Sequence, residues 1–167
     1  MTPGNILLDE LGMVKLADFG LARAADRERM TRPDIVKGKA AYLAPEIVRG
    51  KGPSPQSDLF GVGIVLWEAL SGLRLFAGEN EVKSALLVRD AVVPMLSTKR
   101  AGVPLQISNI VHRALERDPA RRFRSALEML TALREALRVL PHTTDATVLA
   151  QSVRDARRNL EDRQKPA

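Results

Sequence analysis

An amide and two carboxylates stand in an ordered series along this 167-residue chain: Asn5, then Asp18-Phe19-Gly20 thirteen residues on, then Ala44-Pro45-Glu46. Each tripeptide is a weak signal alone, because such triplets arise often by chance. Far downstream, Asp118-Pro119-Ala120-Arg121-Arg122 carries an arginine whose fork can hold a carboxylate bidentately. Other chemistries fall away. The chain has no cysteine, which excludes a thiol nucleophile, a zinc finger and a disulfide scaffold together. Its two histidines, His112 and His142, lie thirty residues apart without ligand-spaced neighbours and give no imidazole metal site. Absence of disulfides is also what a reducing compartment produces, so a cytoplasmic location is expected.

These residues need elements to position them, and the length suits one domain with a sizeable core. Hydrophobic residues at 45% and charged residues at 28% exclude collagen-like and wholly disordered chains. Lys+Arg 26 against Asp+Glu 20 gives a net charge of +6. Such a balance suits either a nucleic-acid partner or a soluble surface. No zinc-finger or RNA-binding motif accompanies it, and aromatics at 4% are too few for a base-stacking platform, so no nucleic-acid partner is expected. No apolar run approaches the length of a membrane span, and the first residues lack the basic and apolar regions of a signal peptide.

Ile6-Leu7-Leu8 and Val14-Lys15-Leu16 are short β-prone runs around Gly12, which predicts a small hairpin. Residues 18–46 form a long irregular stretch, of the kind that is functional or mobile. The rest reads as helix. Asp58 is expected to cap residues 59–70, a run apolar on nearly all sides and therefore central to a core. Further helices are predicted over 81–90, 105–117 and 125–140. The last opens with Ser125-Ala126-Leu127-Glu128, a capping-box pattern. Pro141 closes it, and the polar tail 141–167 holds a short amphipathic segment through Val148, Leu149, Val153 and Leu160.

Taken together and in this order, Asn5, Asp18-Phe19-Gly20 and Ala44-Pro45-Glu46 resemble the second half of a protein kinase catalytic domain. Tyr42-Leu43-Ala44-Pro45-Glu46 is similar to the end of a serine/threonine-type activation segment. Asp58-Leu59-Phe60-Gly61-Val62-Gly63 is similar to the start of that family's central buried helix. Asp118–Arg122 is similar to the turn whose arginine pairs with the Ala-Pro-Glu glutamate. The resemblance covers residues 1 to about 140. It implies a protein kinase-like fold, C-lobe only, mainly α-helical with one small β-hairpin. It also implies ATP and Mg²⁺ as cofactors of the complete parent, bound weakly by this chain alone, and a protein substrate phosphorylated on serine or threonine. Asn5 and Asp18 take the metal-holding positions, with Asp18 bridging Mg²⁺ to the phosphates. Glu46 and Arg122 form an ion pair tying the activation segment to the last helices. Thr31, the sole serine or threonine between Asp18 and Glu46, is the candidate activating phosphosite, and Arg23 would greet its phosphate.

The chain also departs from the family. Counting back from Asn5, the catalytic aspartate would lie immediately before Met1, and the glycine-rich loop, the phosphate-gripping lysine and its glutamate have no counterpart. This chain is therefore expected to be catalytically incompetent by itself. Lysine and threonine have also changed places: Thr2 stands where the family has a catalytic-loop lysine, and Lys39 where it has threonine. Lys39 is expected to deliver its ammonium toward the transferred phosphate with Thr2 as hydroxyl partner. The family's preceding helix packs on the central helix around Trp67. Exposing about five apolar side chains there would cost ~10 kcal/mol, the size of a domain's whole stability. A missing N-lobe or another partner is expected to cover that face. A second reading is a stand-alone C-lobe that binds or regulates without catalysis.

Overall fold

The computed structural model describes residues 1–17, 40–140 and 145–164. The chain opens with a 3₁₀ turn, Pro3–Asn5, and runs into an antiparallel hairpin of β1 (Ile6–Leu8) and β2 (Val14–Leu16). The register pairs Ile6 with Leu16, Leu7 with Lys15 and Leu8 with Val14. The hairpin is short because Asp9 ends it. Its backbone N–H donates to the Met13 carbonyl at 3.1 Å, and its carboxylate accepts from the Leu11 and Met13 amides at 3.0 and 2.8 Å. An aspartate bonding its own loop competes with the ladder in this way. Gly12, at φ +78°, supplies the left-handed residue the loop requires.

After a 3₁₀ turn at Ala40–Tyr42 come α1 (Pro45–Val48), α2 (Pro55–Ser71), α3 (Glu81–Asp90), α4 (Leu105–Ala114), α5 (Ala126–Arg138) and α6 (Ala146–Gln164). The long helix α2 supplies both halves of the core. Phe60, Ile64 and Trp67 pack with Phe76, Val88, Leu96, Val111 and Leu115. Leu59 packs with Ile107, Ile110, Ala114, Phe123 and Met129. A helix apolar on most sides can serve two clusters at once, which is why α2 lies central.

Asp58 does not cap this helix. Pro55 is preset for the first helical position, and Ser54 before it accepts the Ser57 amide on its hydroxyl at 3.2 Å. The Asp58 amide already bonds the Ser54 carbonyl at 3.2 Å, so Asp58 sits inside the first turn, where its charge still favours the helix N-terminus. Trp67 is likewise not left bare: it is 2% exposed and donates its indole N–H to the Pro94 carbonyl at 3.0 Å. Exposed large apolar side chains lie on the hairpin, at Leu7, Leu8, Met13, Val14 and Leu16, and also along the helical body, at Val82, Val92, Leu105 and Leu127 among others.

Helix α4 stops at Ala114, short of residue 117, and beyond its end the carbonyls of Glu116 and Arg117 meet Arg122. Ser125 caps α5 by accepting the Glu128 amide at 3.1 Å. The Glu128 carboxylate reaches past the cap to the Arg124 amide at 2.7 Å and to Arg113 on α4 at 2.6 Å. These bonds hold the Glu128 carboxyl below its ordinary range, the Arg124 amide contributing most. The tail forms a longer helix than its sequence suggests. Asp145 caps α6 through the Thr147 and Val148 amides at 2.9 and 3.1 Å, and α6 lies against the hairpin loop.

Candidate functional site

Two clusters occupy the positions that the sequence series marks, one at the root of the hairpin and one behind the Ala-Pro-Glu segment. At the root, Thr2 precedes the 3₁₀ turn and Asn5 ends it. The Thr2 amide and hydroxyl both donate to Asn5 Oδ1, at 3.2 and 2.7 Å. The Ala17 amide donates to the Asn5 carbonyl at 2.8 Å, extending the ladder one step past Ile6–Leu16. Asn5 and residue 17 are thereby neighbours across the hairpin, and Asp18 follows directly in sequence. Asp18 itself, with Arg23, Thr31 and Lys39, lies outside the described residues. The Thr2–Asn5 link was not anticipated; the structure joins Thr2 to the candidate metal donor.

An amide oxygen and a carboxylate are hard donors of the kind magnesium takes, usually with substrate phosphates and water completing the shell. Asn5 fits that chemistry, with the proviso that the Thr2 hydroxyl must turn aside to free a lone pair of Oδ1. Among the described residues no group of three or more His, Cys, Asp or Glu side chains could hold a metal.

Behind the Ala-Pro-Glu segment, the Arg122 fork meets Glu46 with two bonds of 2.8 Å each. The Arg122 side chain is fully enclosed. Its remaining N–H groups donate to the carbonyls of Glu116 at 2.7 Å, Gln56 at 3.0 Å and Arg117 at 3.2 Å. All five donors of the guanidinium are thus used, and its Cζ lies 4.7 Å from the centre of the Phe60 ring. Burial alone would push the Glu46 carboxyl up. The bonds from Arg122, a backbone N–H, and the charges of Arg122 and Lys51 outweigh it and hold Glu46 below its ordinary range. The carboxylate is kept ionised.

A third polar group lies beside this node, and the sequence series did not mark it. Tyr42, five residues before Ile47, donates its hydroxyl to Glu68 Oε2 on α2 at 2.6 Å. The Leu75 amide donates to Glu68 Oε1 at 3.0 Å, and Arg74 reaches both the Tyr42 hydroxyl and Glu68. Here burial dominates, and the Glu68 carboxyl is pushed above its ordinary range, the Leu75 N–H opposing. The signal that could have found it is plain: Glu68 is the one acid within the apolar run 59–70. The Ala40 amide donates to Glu81 at 3.3 Å, so the segment 40–48 is held from α2, α3 and the Pro119–Arg121 turn together.

His112 is structural. Half-buried on α4, it accepts the Leu96 amide on Nε2 at 3.4 Å, and burial lowers its pKa. No helix among the described residues is long and apolar enough to cross a membrane.

A family model described as protein kinase domain matches residues 1–133. The serine/threonine-protein kinase PknL of Mycobacterium tuberculosis is 41% identical over 138 residues, covering 81% of this chain and 35% of the relative. The serine/threonine-protein kinase PrkC of Bacillus subtilis is 37% identical over 134 residues, 80% of this chain and 21% of the relative. PknA of Mycobacterium tuberculosis is 38% identical over 123 residues, 74% and 28% respectively. The chain therefore spans about a third or less of these relatives' own length. A family model over most of the chain, and relatives of this identity, place the protein in the protein kinase family, among the serine/threonine kinases.

Proposed function

We propose that this chain is the C-terminal lobe of a serine/threonine kinase catalytic domain, carrying the metal-holding and substrate-positioning parts of the machinery for phosphoryl transfer but not its catalytic base or nucleotide-gripping residues. The observation that supports this best is the Glu46–Arg122 pair. Two residues 76 apart in sequence, marked by the Ala-Pro-Glu and Asp118–Arg122 motifs, meet as an enclosed bidentate pair. In this reading Arg122 anchors the end of the segment that presents the protein substrate.

Asn5 and Asp18 would hold Mg²⁺, which when bound would supply neutralisation of phosphate charge. The chain's own contribution is positioning. The Ala17–Asn5 bond fixes where the chain leaves β2 at the root of the hairpin, and Thr2 sets the Asn5 side chain. Lys39 and Thr2 assist near the transferred phosphate. Thr31 with Arg23 forms the activating phosphosite. The 167 residues alone carry no residue for the catalytic base and no nucleotide-gripping lysine, so by themselves they transfer no phosphate.

The test is to read the in-frame codons upstream of Met1 and to express the extended product. Codons for His-Arg-Asp next to Met1, with a glycine-rich loop and a lysine further up, and metal-dependent phosphorylation of a serine/threonine protein substrate by the extended product, bear the reading out. Efficient ATP- and Mg²⁺-dependent transfer by the purified 167-residue chain overturns its incompetence. An in-frame stop directly before Met1 favours the non-catalytic C-lobe instead.

A further inference from the structure

The hairpin is poorly supported by its own strands. Two three-residue strands make a ladder that is marginal in water without further packing. Leu7, Leu8, Val14 and Leu16 are all exposed, between 43% and 53%. Something else must hold it. Among residues 1–17, the one that is buried is Gly12, at the tip.

What buries Gly12 is α6. A Cβ placed on Gly12 would fall 1.9 Å from the Ala146 carbonyl oxygen and 3.0 Å from the Ala150 amide, so helix and loop meet backbone to backbone. Ala150, on the same face of α6, is 4% exposed. Polar contacts flank the seat on the same side. Arg154 donates to the Glu10 carbonyl at 3.1 Å, and Arg157 forms an ion pair with the Glu10 carboxylate. At the other end, Met1 packs on α2 at Gly61, where a Cβ would lie 3.1 Å from the Met1 nitrogen. The hairpin is thus gripped at root and tip, with its faces open between.

We propose that α6 is an intramolecular strap: seated on the hairpin tip through Gly12 and Glu10, it holds β1 and β2 in register, and its release loosens them. The seat is built to let go. A groove of about 440 Å³ runs along it, lined by Gly12, Asp145, Ala146, Val148, Leu149 and Ser152, and open to solvent. Its ion pair is exposed at both partners, where a change of charge acts readily. Resting on the reading above, the strap governs how firmly the hairpin places Asn5 at its root and hands the chain on to Asp18.

Hydrogen exchange in the 167-residue chain tests it. The reporters are the Asp9 and Ala17 amides, which bond the Met13 and Asn5 carbonyls at either end of the ladder. Gly12→Asn tolerates the left-handed backbone yet still carries a Cβ into Ala146, and should speed exchange at both reporters about tenfold while α2 is unchanged. Glu10→Arg or Arg157→Glu should each speed it about threefold, and the double exchange of charge should return it toward the parent. If Gly12→Asn also loosens α2, the charge series decides. Parent-like rates at both reporters in that series, or in a Gly12→Asn chain whose α2 is intact, overturn the strap. Broadening of the Asn5 resonances by Mn²⁺ alone is recorded in the same samples. Its absence in the parent counts against the metal reading and leaves the exchange rates to judge the strap.

Discussion

The Glu46–Arg122 node and the hairpin are both places where distant residues converge, but they are held in opposite ways. At the node, every donor of one buried guanidinium is matched, and its partners, the Glu46 carboxylate, the Gln56 carbonyl and the carbonyls of Glu116 and Arg117, come from three separate stretches of chain. Several independent bonds specify one geometry. The hairpin has one buried residue, exposed faces, and anchors only at its ends. The difference separates two duties. The segment end at Glu46 is over-determined, and the hairpin that carries the proposed metal donor Asn5 is clamped lightly.

Breaking the node should give the largest effect. Arg122→Met leaves the Glu46 carboxylate buried without its partner and strands the carbonyls of Gln56, Glu116 and Arg117. The expected loss is about 3–5 kcal/mol, read as a lowered melting temperature of the whole chain. Adding Glu46→Leu removes the orphan charge and should recover part of that loss. Recovery stays partial because the three carbonyls are still unpaired. Full recovery would mean that they find water and that the pair alone mattered.

Trp67→Phe attacks the core beside the node without touching a charge. It removes the bond to the Pro94 carbonyl and some volume from an enclosed site, for an expected loss of about 1–3 kcal/mol. Asp9→Ala is its counterpart on the hairpin. Losing the bonds from the Leu11 and Met13 amides should cost about 1 kcal/mol, on the scale of a lost helix cap. That cost should appear as faster exchange within the hairpin, with the melting of the helical body unmoved. A lowered global melt would show that hairpin and body unfold as one, and would erase the contrast.

How much of this was legible in the sequence follows the same division. The strands Ile6–Leu8 and Val14–Leu16, the helix Glu81–Asp90 and the central place of α2 could be read directly, because each is written in a local period or in flanking turn residues. The start of α2 was misread because Asp58 and Ser54 are both good caps, and only Pro55 at the first position decides between them. The end of α4 was hidden for a different reason: no glycine or proline stands at Ala114, and the carbonyls just beyond the helix, at Glu116 and Arg117, are claimed by Arg122 from the next turn. At the site, Glu46 with Arg122 could be named through motifs. Of the Tyr42–Glu68–Arg74 group only Glu68 could be singled out, as the one acid in an apolar run; its partners come together only once α2 packs beneath the segment. The docking of α6 on Gly12 leaves almost no local trace, because a glycine in a hairpin loop already has a sufficient reason to be there.

The smallest expected effect sharpens the comparison within the helical body, between buried Glu46 and half-buried Glu68. Glu46 is held below its ordinary pKa, so the folded state favours its ionised form. The stability this contributes is present above the ordinary glutamate range and is lost as pH falls through the folded value. Glu68 is pushed above its ordinary pKa, so the folded state binds its proton more tightly than the unfolded chain does. Its contribution therefore has the opposite sign, and stability falls as pH rises from the ordinary glutamate range through the raised value. Glu68→Gln keeps an oxygen for the Leu75 amide and removes the half-buried charge. Melting followed across that window should show the variant losing less stability than the parent as pH rises, by about 1 kcal/mol or less. Glu46→Gln should instead flatten the acid limb while lowering stability at neutral pH. If Glu68→Gln melts with the parent's full pH dependence, then Arg74 neutralises Glu68 as completely as Arg122 neutralises Glu46, and the two carboxylates are held alike after all.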